Sequence, residues 1–272
     1  MATVSDIIKE ALHYPKANLK NTAITGIFLL LFMIFFVFGN YFIANDIRNR
    51  ILADPFTYNY NSVFEFMGYA SPTSQAVFVI FVIVAFICYF VAQGYFYRIY
   101  QNTVLKIDSE PQYNQPKSIL AEGIKIFVVN FTYLIIPAVI VSVGGYYNAA
   151  IFAIGIILAV IAYLVLPIAI SNMAYTKSFS GAYRFSEIGQ IIRSIGIWKY
   201  IGTIIFELLV CGIILLSWFI ILTIFGILVV NLPFSDILVS SVSIFLSAIV
   251  YAYLLTFSVK VNGLLYNSRK DA

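Results

Sequence analysis

Of the 272 residues, 62% are hydrophobic and only 10% are charged, with a formal charge of +4. A water-soluble domain carries roughly a quarter charged residues and under half apolar ones, so this composition excludes an aqueous globular fold and makes lipid the solvent. Two cysteines, Cys88 and Cys211, both inside apolar runs, offer no disulfide framework and read as small core hydrophobes.

The chain opens on polar residues with no apolar h-region, so targeting is expected to rest on the first span and not on a cleaved leader. Its first element, "SDIIKEALHYP", places Ile7, Ile8, Ala11 and Leu12 at helical spacing, with Lys9 and Glu10 opposite. That is the pattern of a short amphipathic helix lying in the membrane interface. The lone histidine, His13, sits there as a surface or headgroup contact.

About 20 apolar residues are needed to cross the hydrocarbon core as a helix. Six stretches qualify: about Thr22 to Ala44, Ala76 to Phe96, Ile124 to Val143, Ala149 to Asn172, Tyr200 to Val230, and Ile237 to Val261. Between the first two lies an outer stretch, Asn45 to Gln75, rich in aromatic residues (Phe56, Tyr58, Tyr60, Phe64, Phe66, Tyr69) that favour the headgroup zone. Between the second and third, Pro111 and Pro116 flank "QYNQ", an extended linker. "SILAEGIKIF" then repeats the amphipathic pattern with Ile119, Leu120, Ile124 and Phe127, and "FSEIGQIIRSIG" repeats it again with Phe185, Ile188, Ile192 and Ile195.

The chain thus reads as an all-α polytopic bundle of three units, approximately 1–103, 104–180 and 181–272, each an amphipathic helix followed by a helical hairpin. The polar stretch Met173 to Ser194 joins the second unit to the third. Pro137 and Pro167 are expected to kink their spans and free a carbonyl.

Basic residues sort by side. With the N-terminus inside, the inner segments hold Lys and Arg from Lys9, Lys16 and Lys20 through Lys260 and Arg269, and the outer segments hold Arg48 and Arg50. By the positive-inside rule both termini are cytoplasmic, in the cell membrane. The positive charge is a topology signal, and no nucleic-acid partner is expected.

Chemistry-bearing residues are few. Glu207 is the one ionisable residue within a span and therefore a functional candidate. Trp198, Lys199 and Tyr200 read as an interface anchor that puts it near the inner boundary. Asn130 is its nearest positional counterpart in another unit. Ser240, Ser243 and Ser247 line one face of the last span, where small polar residues favour close packing and interhelical hydrogen bonds. Arg184, Glu187, Gln190 and Arg193 form the polar face of the third amphipathic helix, a candidate docking surface. No metalloprotease, Walker or nucleophile-elbow motif occurs, so no catalytic residue, metal or cofactor is expected.

The segments "EALHYP", "AEGIKIFVVNFTYLIIP", "PIAISNMAYTKSFSGAYRFSEI" and "KVNGLLY" together resemble the membrane proteins grouped as domain of unknown function 4013, most specifically over Pro167 to Ile188. The resemblance implies a multi-pass helical membrane protein, mostly from archaea, and supplies no catalytic residues. Three functional classes follow as expectations. The first is a non-enzymatic accessory or scaffolding component with another membrane protein as partner. The second is a secondary transporter of a small molecule, which would use Glu207. The third is a sensor of membrane lipids through the basic inner helices.

Overall fold

The computed structural model describes residues 3–53, 68–229 and 235–269. Eight α-helices occur among them: α1 (Val4–Ala17), α2 (Leu19–Ala53), α3 (Pro72–Val104), α4 (Pro116–Tyr147), α5 (Ala149–Thr176), α6 (Phe185–Ile195), α7 (Ile197–Val229) and α8 (Ser235–Asn267), with a 3-10 turn at Phe179–Tyr183. Six of them, all but α1 and α6, are long and apolar enough to cross a membrane. The protein is an all-α bundle of membrane-span-like helices.

Local chemistry sets most helix ends. Thr3 and Asp6 close a reciprocal capping box on α1, in which Asp6 accepts from the Thr3 amide at 2.9 Å and from its hydroxyl at 2.7 Å. Pro72 and Pro116 open α3 and α4 in the first turn, where the missing N–H is no loss. Asn148 ends α4 and starts α5, its Oδ1 accepting from the Ala150 amide at 2.7 Å. Gly196, at φ +95°, makes the break between α6 and α7, a backbone conformation that side chains resist.

Packing is concentrated at one end of the bundle. The main core joins Ile7, Ile8 and Ala11 of α1 to the last turns of α3, α5 and α8 and the first turns of α7. α8 lies centrally, against α2, α3 and α5, whereas α7 stands at the periphery against α8 and the foot of α1. No residue of the most apolar 18-residue stretch of α7 is buried. In lipid, such a surface needs no protein cover.

The helices differ from the sequence expectation in three places. α2 continues past Ala44 to Ala53 because Ile43 and Ile47 are buried with Ala70, and Asp46 accepts from the Ser71 amide at 2.7 Å. Of the outer aromatic stretch, 54–67 lies outside the described residues. The second amphipathic stretch is the start of α4 itself, continuous with its span, and it buries Ile119, Gly123, Ile126 and Val129 while Ile124 points outward. Its rotation follows from Gly123, which meets the α3 backbone so closely that a Cβ there would lie 1.8 Å from the Phe90 carbonyl oxygen. On α6 the buried face is Ile188, Ile191 and Ile195, and Phe185 is exposed.

Linker 105–115 is not a free tether. Tyr113 stacks on Tyr95 with centroids 4.6 Å apart and planes 6° from parallel, and its hydroxyl hydrogen-bonds Thr25. Arg98 holds the same segment from the side: its Nη1 donates to the carbonyls of Gln112 at 2.6 Å and Asn114 at 2.9 Å, while its Nε meets Glu122 at 2.8 Å.

Candidate functional site: an intramembrane pocket at Glu207

Glu207 lies ten residues into α7, roughly 15 Å along the axis from the helix start. It does not face lipid: the residue is 4% exposed. Ser258 of α8 donates its hydroxyl to Glu207 Oε1. Among the described residues no basic side chain forms an ion pair with it. A carboxylate out of water without a countercharge is costly to ionise, so its surroundings decide what it can do.

Those surroundings are a cavity of about 220 Å³ between α3, α4, α5, α7 and α8. Its polar groups come from four helices besides α5: Gln93 of α3, Asn130 of α4, Glu207 of α7, and Ser258 and Asn262 of α8. Asn262 is 4% exposed, and its Oδ1 has no hydrogen-bond partner among the described residues. Phe96, Tyr100 and Tyr163 supply aromatic wall, and aliphatic residues such as Ile170 and Leu255 supply the rest. Tyr163 is 48% exposed, so the pocket reaches the surface of the bundle. A mostly apolar concavity with a few convergent polar groups is the usual form of a small-molecule site.

Pro167 shapes this cavity from the α5 side. Having no N–H, it leaves the carbonyl of Tyr163 without its helical donor, although α5 stays helical through it. The next carbonyl, Leu164, accepts from the hydroxyl of Tyr200. Tyr200 is thus 3% exposed and part of the core, not an interface anchor, while Trp198 is 87% exposed and free to take that role. The anchor pattern misleads at Tyr200 because an aromatic hydroxyl bonds a neighbouring helix's carbonyl as well as it bonds a headgroup.

The other sequence candidates lie apart from this pocket. Ser247 accepts from Trp218 Nε1 at 3.1 Å, tying α8 to α7, and Ser243 is half-buried. The side chain of Ser240 lies outside the described residues. On α6, Arg184, Gln190 and Arg193 are exposed and Glu187 is half-buried, 3.4 Å from Arg184. Cys88 is buried and Cys211 half-buried, both as free thiols.

Sequence reasoning missed Gln93, Tyr100, Ser258 and Asn262. A signal existed for the amides: Gln93 interrupts an apolar run, and Asn262 lies in "KVNGLLY". The conspicuous Asn172 is structural instead. Its Nδ2 donates to the Gly181 carbonyl at 3.0 Å and its Oδ1 accepts from Tyr266 at 2.9 Å, which clamps the 3-10 turn and the end of α8 to α5.

A second cleft, at the core-bearing end, holds Lys260 and Arg269, but these cations already have company. Lys260 lies 3.4 Å from Glu10, and Arg269 stacks 4.5 and 4.2 Å from the ring centres of Tyr175 and Tyr266. Among the described residues, Glu207 is a buried carboxylate with no ion pair, whereas Asp108 in the second cleft is exposed to solvent.

No curated protein and no solved structure matches the chain. A family described as protein of unknown function (DUF4013) matches residues 77–232, from α3 to just beyond α7, a stretch that includes Gln93, Asn130, Pro167 and Glu207 and leaves out Ser258 and Asn262. That is more than half of the sequence, and the chain belongs to this family.

Proposed function

We propose that the protein binds a small polar solute inside the membrane, in the Glu207 pocket, as a non-enzymatic carrier of the secondary-transport type. One observation carries this reading: polar side chains from four separate spans converge on a cavity of about 220 Å³ beside an intrahelical proline, Pro167. Carriers typically place their sites where kinked or interrupted helices meet within the bilayer. Asn262 Oδ1, buried and without a partner among the described residues, leaves a cost of about 1–3 kcal/mol that a bound donor would remove.

Orientation belongs to the same proposal. We place the chain in the cell membrane with α1, linker 105–115, α6 and the end of α8 on the cytoplasmic side. The distribution of basic residues favours this, with Arg48 and Arg50 near the opposite end of α2.

Native mass spectrometry of protein gently extracted from its own membrane tests the carrier reading. The expected spectrum shows the chain with a retained small-molecule mass that Asn262→Leu loses. A stoichiometric protein partner with no small-molecule mass would replace this reading by the accessory one. That second reading has its own support: α6 is pinned by Ile188, Ile191 and Ile195 and turns Arg184, Gln190 and Arg193 to solvent beside the exposed Phe185 and Trp198. Such a face suits either a partner protein or lipid headgroups.

A further inference from the structure

We infer that the solute is an organic cation, an amine carried as its ammonium ion, held by Glu207 against the aromatic wall of the pocket. The inference rests on the carrier reading above and adds the ligand's charge and class.

Charge comes first. Among the described residues Glu207 is the only acidic or basic side chain lining the cavity, and it has no cationic partner there. A carboxylate buried in this way is stabilised most by a ligand that brings the missing positive charge with it. An anion would meet repulsion and a neutral solute would leave the carboxylate as it is.

Hydrogen-bonding capacity points the same way. Glu207 Oε1 already accepts from Ser258, and Asn262 Oδ1 waits without a donor. Both oxygens can take a further donor, and an ammonium group brings donors only. Placed between the carboxylate and the amide oxygen, it would satisfy both.

The walls then select an organic cation over a bare ion. Phe96, Tyr100 and Tyr163 present ring surface, which attracts cations by its quadrupole and covers a hydrocarbon body. Among the described residues no three His, Cys, Asp or Glu side chains come together, and a divalent ion asks for six to eight oxygen ligands where this pocket offers one carboxylate. A cavity of about 220 Å³ also greatly exceeds what a dehydrated ion fills.

Equilibrium dialysis on the detergent-solubilised full chain tests this with benzylammonium, its neutral isostere benzyl alcohol, the anion benzoate, and rubidium as a bare ion. The expected result is saturable binding of one benzylammonium per chain, at least tenfold tighter than benzyl alcohol, with no measurable benzoate. Glu207→Gln, nearly isosteric, should weaken benzylammonium tenfold or more and leave benzyl alcohol unchanged. Ser258→Ala keeps the carboxylate and should keep the preference for ammonium over alcohol; its thermal unfolding reports that the bundle still folds. Equal binding of alcohol and ammonium, or full affinity in Glu207→Gln, would overturn the cation while the pocket remained a ligand site. Displacement by equimolar rubidium would overturn the organic class. Failure of every probe, together with a native mass spectrum free of small-molecule adducts, would remove the carrier reading itself.

Discussion

Gly94 and Gly123 cross with no space for a methyl group on either. A Cβ on Gly94 would lie 2.0 Å from the Ile119 carbonyl oxygen, and one on Gly123 would lie 1.8 Å from that of Phe90 and 3.0 Å from the Gly94 amide nitrogen. Helix backbones that approach this closely associate by van der Waals contact, which matters in lipid because the hydrophobic drive between helices is absent. Gly94→Ala and Gly123→Ala each collide with backbone and not with a flexible side chain, so each is expected to cost about 3 kcal/mol. Gly189, with nothing near its would-be Cβ, is the control: Gly189→Ala should hold or gain about 0.5–1 kcal/mol. Thermal unfolding in detergent reads all three.

Arg98 makes the linker part of the bundle. With its side chain only 11% exposed, it bonds Glu122 at 2.8 Å and two linker carbonyls. A lysine keeps the charge but not the fork of donors. Arg98→Lys is expected to speed limited proteolysis between 106 and 115 by about tenfold, which corresponds to about 1.4 kcal/mol of local opening. An unchanged digestion rate would mean that Tyr113, stacked on Tyr95, holds the segment unaided.

Asp6 gives α1 a defined acid limit. Its hydrogen bonds from Thr3, with a smaller contribution from Lys9, hold its carboxyl below the usual range. A depressed folded pKa contributes stability that is complete above the ordinary carboxylate value of about 3.9 and is lost as pH falls through the lowered one. The protection of first-turn amides of α1, taken relative to their intrinsic exchange rate at each pH, should therefore be steady from neutral pH down to about 4 and fall below it. Asp6→Asn should raise the exchange at neutral pH and flatten this dependence.

On α6 the two faces should separate cleanly. Reversing Arg184 and Arg193 together disturbs only exposed groups and one 3.4 Å pair, so unfolding should shift by less than about 0.5 kcal/mol. Ile188→Ala, at a residue 1% exposed, should cost about 3 kcal/mol. If the double reversal leaves stability alone but releases a co-purifying protein or lipid, the exposed face is a docking surface. If it releases nothing, the face is only solvated.

The membrane spans were legible because length and hydropathy are properties of single segments. Even so, the end of α2 escaped notice, since its last turns are held by Asp46 on Ser71, a contact across the chain. For the same reason the pocket was half visible. Glu207 stood out alone in an apolar run, whereas Ser258 and Asn262 looked like ordinary polar residues near a helix end. Only the packing of α7 against α8 makes them neighbours. Asn130, the positional counterpart of Glu207 in another unit, does line the pocket, but Ser258 and Asn262 lie on a return span and have no such counterpart. Periodicity also misplaced Ile124, whose direction is fixed by the glycine crossing and not by its own hydrophobicity.

α7 is fastened at its foot, through Tyr200 on Leu164 and Glu207 on Ser258, and braced higher up by Trp218 on Ser247. From Glu207 to its last residue, Val229, the helix runs on for roughly 33 Å. Mechanically this is a lever hinged at the Glu207 pocket and held a second time at Ser247. Once the Trp218–Ser247 contact gives, a change in tilt of roughly 10° at the pocket displaces the far tip by about 6 Å, given the rise per residue of an α-helix. A rearrangement of atomic size around the carboxylate is thereby geared up many-fold at the far end of α7, without any helix having to break.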